Sequence, residues 1–190
     1  MIRLLAFLGL FALVAACGET QLNEPPEDLG AFKVRVAHVY TEKALKWPMS
    51  RDAEQSEWLE PMKTALEARL RRYDGAQEYD VAVTLEGFML APAGVPILFS
   101  PKSVAVVNVF VYDVAKKEFL ADKHQMEIFE STTGESAIVG SGHSRTREEQ
   151  IAGLSLNIAD AVEEFLAEQH KKNGWFAPRE AAAEKASEEG

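Results

Sequence analysis

One cysteine, Cys17, stands in 190 residues. No intramolecular disulfide can form, so an exported domain of this chain must rest on its core alone. The same count excludes Cys-rich zinc sites. The four histidines, His38, His124, His143 and His170, follow no compact metal-ligand spacing. No metal and no organic cofactor is implied. Cations are also scarce: 20 Lys and Arg face 30 Asp and Glu, a formal net charge of −10. A phosphate-backbone partner needs clustered Lys and Arg to release counterions, so nucleic acid is excluded as a partner. Broad attraction to anionic lipid headgroups is excluded on the same ground. Signatures of catalysis are missing too, since no P-loop lysine, full dinucleotide fingerprint or nucleophile elbow is present. The chain is expected not to be an enzyme.

Long apolar runs are absent except for one, from Leu4 to Ala16. It follows Met1-Ile2-Arg3 and ends in Val14-Ala15-Ala16, the charged start, apolar middle and small-residue end of a secretory signal peptide. A spanning helix needs about 20 apolar residues, so this run is short for a retained anchor. The segment Leu13-Val14-Ala15-Ala16-Cys17 resembles the lipobox of bacterial lipoproteins. That resemblance implies cleavage before Cys17, a diacylglycerol group on its sulfur and an acyl chain on its freed amine. Each buried methylene contributes about 0.8 kcal/mol, so two or three chains hold a protein on a membrane without help from its surface. Gly18 stands where enteric lipoproteins retained in the inner membrane carry aspartate, which by the same resemblance favours an outer-membrane anchor facing the periplasm. The competing reading is ordinary signal-peptidase cleavage after Ala16, leaving a free thiol.

Length and periodicity then divide the chain into a signal peptide at 1–16, a lipidated cysteine with a flexible tether at 17–31, a single domain at 32–176 and an acidic tail at 177–190. The tether carries Pro25-Pro26 and little to bury. In the domain, Phe32, Val34, Val36, His38 and Tyr40 share one face of a period-two segment, which predicts a first strand. Trp58, Met62, Leu66, Leu70 and Tyr73 recur at helical spacing and predict an amphipathic helix stopped by Asp74-Gly75, with Pro61 complicating its start. Three strands follow, from Tyr79, from Val104 to Tyr112 and from Phe119 to Phe129. Thr146-Arg147-Glu148-Glu149 has capping-box spacing, and Ile151, Leu154, Ile158, Val162, Phe165 and Leu166 trace one face of a last helix up to Asn173-Gly174. Trp175 and Phe176 are expected to fold back on the core. The order β-α-β-β-β-α predicts an α+β domain, a mostly antiparallel four-stranded sheet with both helices on one face. This arrangement is similar to the small α+β domains of envelope accessory lipoproteins, a likeness of element order that assigns no residue a role.

Candidate chemistry is thin. Gly140-Ser141-Gly142-His143-Ser144 precedes the last helix and admits an anion site at the helix N-terminus, but a flexible turn with a helix cap explains it more simply. Ser141, His143 and Ser144 are too close in sequence for a nucleophile and its base. Glu127 and Glu130 read as surface charge at a strand end, His38 as a packed or rim histidine, and His124 as solvated. The stretch from Ala91 to Pro101 combines three prolines with Val95, Ile97, Leu98 and Phe99. It either closes one end of the core or presents Ile97, Leu98 and Phe99 as an interaction surface. The function expected from these features is a membrane-anchored interaction or assembly accessory that meets another envelope protein. Its alternative is a periplasmic binding domain for a small apolar or lipid-like ligand held between helices and sheet, marked by an internal cavity with an open mouth.

Overall fold

The structure, a computed structural model, describes residues 25–92, 101–131 and 144–179. Seven elements follow one another: β1 (Phe32–Tyr40), β2 (Leu45–Lys46), α1 (Ser56–Leu70), β3 (Gln77–Met89), β4 (Val104–Asp113), β5 (Glu118–Phe129) and α2 (Arg147–Asn173). The α+β class and the order of the main elements are those expected. The sheet, however, is mixed. Its order is β1-β3-β4-β5, with β1 parallel to β3 and the two later pairings antiparallel, and the short β2 also runs parallel beside β3. The reason is the connection: α1 returns the chain to the end of the sheet where β1 began, so the next strand runs in the same direction. β3 and β4, then β4 and β5, pair as antiparallel neighbours.

Alternation along β3 and β4 is strict enough to build the core. Tyr79, Val81, Val83 and Leu85 are fully buried, as are Val107, Val109 and Val111. They join Trp58, Met62, Leu66 and Leu70 of α1 and Leu154, Ile158, Val162 and Leu166 of α2 in one apolar cluster. At about 25 cal/mol per Å² of apolar surface removed from water, this cluster is the main stabilising term of a domain without disulfides. Trp58 seals one end against Phe88, with ring centroids 5.0 Å apart.

β1 departs from its expected face. Its pairing with β3 slips between Val34 and Val36, where Arg35 is the extra residue. Phe32 and Val34 point into the core, and beyond the bulge the buried residue is Ala37. A bulge shifts the parity of everything after it, so His38 and Tyr40 leave the core face and stack on each other at 6.0 Å, with Tyr40 47% exposed. His38 is therefore an exposed residue rather than a packed one. Arg35 itself pairs with Asp80 across the strands.

α1 ends at Leu70, short of Asp74-Gly75, and runs through Pro61 without breaking. Past its end, Gly75 donates to the carbonyl of Phe32, and a Cβ there would lie 2.2 Å from the backbone of Ala31, so no larger residue fits. α2 has the capping box expected of it: the Thr146 side chain accepts from the Glu149 N–H, and Glu149 accepts from the Thr146 N–H. It stops at Gly174, whose φ of 66° is left-handed. Phe176 then turns back, fully buried, 4.9 Å from both Phe32 and Tyr79. Packing continues past it. The Ala177 carbonyl accepts from Gln77, and Arg179 pairs with Asp113, so residues past Phe176 also contact the sheet.

Candidate functional site

The two helices do not cover the whole sheet. They pack on each other and over the core rows, leaving β5 at the margin. Only Ile128 of β5 is buried, and its neighbour Met126 is half-buried. Between this strand and α2 lies a groove of about 1440 Å³, floored by Met126 and Ile128 and walled by Ala161 and Phe165. His124 lies flat on Phe165, ring centroids 4.0 Å apart and planes 8° from parallel, and Phe165 meets Trp175 edge-on at 5.7 Å. The histidine read as solvated is thus exposed yet held by an aromatic face. At the other end, Asn157 of α2 donates to the Phe129 carbonyl at 2.8 Å and accepts from Ser131 at 3.1 Å, tying the end of β5 to the helix.

Along the groove the charge is uneven. Glu27, Glu127 and Glu164 line it and have no ion-pair or hydrogen-bond partner among the described residues. Glu168 is engaged by Lys172, whose hydrogen bond holds that carboxyl below its ordinary range. Lys171 is left as an unpaired cation on the rim. The apolar floor therefore sits inside an acidic margin.

Among the described residues β5 stands last in the sheet, so no described strand pairs with its outer backbone edge. Its pairing with β4 is broken twice near its start, between Val109 and Phe110 and between Val111 and Tyr112, and Lys123 there has a φ of 129°. Bulges and lysine blunt an edge against pairing. From His124 to Phe129 the register is regular, one residue against one, from Val109 back to Val104. The unblunted half of the edge is the half that floors the groove.

The other sequence-derived candidates separate. Cys17, the Ile97, Leu98 and Phe99 segment, and Gly140 to His143 lie outside the described residues. Ser144 precedes α2, and Thr146 is its cap. Glu130 is not surface charge, being only 5% exposed with one carboxylate oxygen unpartnered, whereas Glu127 is exposed on the groove margin. His170 stacks on Phe176 at 5.8 Å and lines the same groove, and among the described residues no group of His, Cys, Asp and Glu is placed to hold a metal ion. No helix among the described residues is long and apolar enough to cross a membrane. Sequence reasoning assigned Phe165 to the core face of α2 and did not pair it with His124. Phe165 is buried in the core cluster as that stripe implies, and its contact with His124 of β5 had no signal in the period of either element.

No family model and no curated protein matches this chain. Among solved structures it is similar to a provisionally assigned lipoprotein from Caulobacter crescentus at 8% identity and a TM-score of 0.38, over 76% of this chain and 94% of that one. It is similar to a protein from Xanthomonas campestris at 10% identity and a TM-score of 0.41, over 80% of this chain and 93% of the other. A hypothetical protein from Chlamydia trachomatis is 14% identical with a TM-score of 0.37, over 72% of this chain and 97% of that one. Likeness at this level transfers no residue's role.

Proposed function

We propose that this chain is a non-enzymatic envelope lipoprotein, anchored through Cys17 in the outer membrane and facing the periplasm, whose domain recruits another envelope protein along β5. The observation that carries the reading is the coincidence of a regular strand edge at His124–Phe129, unpaired among the described residues, with the apolar groove under it. Edge strands expose a row of backbone donors and acceptors, and natural proteins blunt them unless they serve pairing. Here the blunting stops where the apolar floor begins. The groove is open along its side and exceeds the 300–1,000 Å³ usual for pockets that enclose a small molecule, which favours a macromolecular occupant over an apolar small ligand.

The anchor fits this work. From Cys17 to Phe32 an extended tether reaches at most about 50 Å, enough for the domain to meet a neighbour without leaving its membrane. The test is site-specific photocrosslinking in intact envelopes. A photoreactive residue at Gln125, on the free edge, should capture a defined protein neighbour, while one at the exposed Lys116, in the turn before β5, should not. Equal capture at both positions, or none at Gln125, overturns the reading.

A further inference from the structure

We propose that the face of the sheet turned away from the helices is a contact surface for a second copy of this chain. The inference does not depend on the β5 reading, whose groove lies on the helix side. Strand residues alternate between the two faces, so while Val81, Val83, Val109 and Val111 are buried toward the helices, the residues between them form the outer face. Ala82 pairs with Phe110 at its centre, with Asp80 and Tyr112 in one neighbouring row and Thr84 and Asn108 in the other. The bulge at Arg35 adds His38 and Tyr40 to the same face, opposite Ala82 and Thr84. Apart from Asn108, all of these residues are half-buried or exposed.

Three observations select a second copy as the occupant. The face holds a hollow of about 290 Å³ over Ala82, walled by Phe110, Tyr112 and Phe119. Phe119 rises beside it, 55% exposed and edge-on to Tyr112 at 5.1 Å. One patch thus carries both a projecting ring and an apolar socket, as a twofold contact requires when a surface meets itself. The second observation is charge. A chain with a net charge of −10 repels its own copy unless the contact is neutral, and here Arg35 pairs with Asp80 while Asp122, opposite Phe110, stands on the marginal strand. The third is Asn108, 1% exposed with its side-chain oxygen unpartnered. Thr84 and Gln125 flank it across the strands and carry donors that a facing copy would bring to it, whereas an acyl chain would bring none. Three rows over four strands cover about 400 Å² before side-chain relief is added. Two such faces bury roughly 1,000 Å², the size of a weak specific interface. Anchorage on a shared membrane would concentrate the copies enough for a weak contact to form.

The experiment expresses the full chain with two different epitope tags in one cell and places a photoreactive residue at Thr84. Irradiated envelopes should yield a species of twice the chain mass that carries both tags, and the same residue at the exposed Lys63 of α1 should yield none. Phe119→Asp and Ala82→Lys should each lower the yield of that dimer about tenfold or more, with the unfolding midpoint unchanged. Tagging the Phe119→Asp chain one way and the Ala82→Lys chain the other should restore the mixed dimer, because one socket then receives an opposite charge and the other keeps the original ring. Absence of a doubly tagged species, equal capture at Lys63, or capture of a lipid or a different protein at Thr84 overturns the inference. So does a dimer that both substitutions leave intact, or one that the mixture does not recover. Should either variant fail to fold, capture at Thr84 in the otherwise unchanged chain still decides between the outcomes.

Discussion

Asp113 and Arg179 meet at 2.8 Å, although one closes β4 and the other lies beyond the last helix. The Asp113 side chain is fully buried and also accepts from the N–H groups of Ala115 and Lys116, shaping the turn into β5. One ion pair thus joins the β4–β5 turn to a residue beyond α2.

Removing the cation leaves a buried carboxylate with backbone donors alone. Arg179 keeps 40% of its side chain in water, which reduces the contribution of the pair. Arg179→Ala is expected to destabilise the domain by about 1–2 kcal/mol. A chain ending at Arg179 should unfold at the same denaturant midpoint as the full chain, and one ending at Phe176 should unfold earlier. Equal midpoints for the two truncations would restore the shorter domain boundary.

Between the helices, Arg69 reaches Asp160 and Glu163, and Glu163 also receives Arg72 and the Tyr73 hydroxyl. The Arg69 and Glu163 side chains are 5% and 4% exposed. Breaking a buried cluster by discharging one member is costly because its partners stay out of water. Glu163→Gln should destabilise by about 3 kcal/mol, read from chemical denaturation. A change under about 0.5 kcal/mol would show that Asp160 alone satisfies Arg69.

The same cluster sets a response to alkali. Burial, then the hydrogen bond to Glu163, raises the Tyr73 hydroxyl above its ordinary range, and burial followed by the Asp113 charge raises that of Tyr79. Above about pH 10 the unfolded chain loses these protons while the folded one keeps them, so the stability present below that pH is lost as pH rises. Denaturation midpoints should therefore fall between about pH 10 and 12, and Tyr73→Phe should make the fall shallower. An unchanged slope in Tyr73→Phe would assign the response to other groups.

The proposed lipid attachment at Cys17 needs its sulfur. Cys17→Ser should block lipid attachment and leave the precursor uncut. Mass spectrometry of the wild-type mature chain should find an acylated Cys17 at its N-terminus; an unmodified thiol there would remove the membrane anchor from the proposed function.

Much of the architecture was legible because it is local. The 3.6-residue stripe from Ile151 to Leu166 and the capping box at Thr146 and Glu149 are both set by residues within a turn of each other, and both stand in the structure as expected. The buried rows of β3 and β4 follow in the same way from alternation. The groove was not legible. His124 and Phe165 are remote in sequence, and nothing in the period of either element tells that a helix and an edge strand will hold their rings 4.0 Å apart.

The sequence by itself determined the element types, the faces of the helices and the acidity of the surface, since each follows from side-chain chemistry over short spans. Tertiary structure decided three matters that periodicity does not encode. Parallel pairing of β1 with β3 depends on where α1 returns the chain. The outward turn of His38 and Tyr40 depends on the bulge at Arg35, which appears only when two strands are set in register. The groove beside β5 depends on how far two helices can cover the face of a sheet, a question of layer width that no single segment contains.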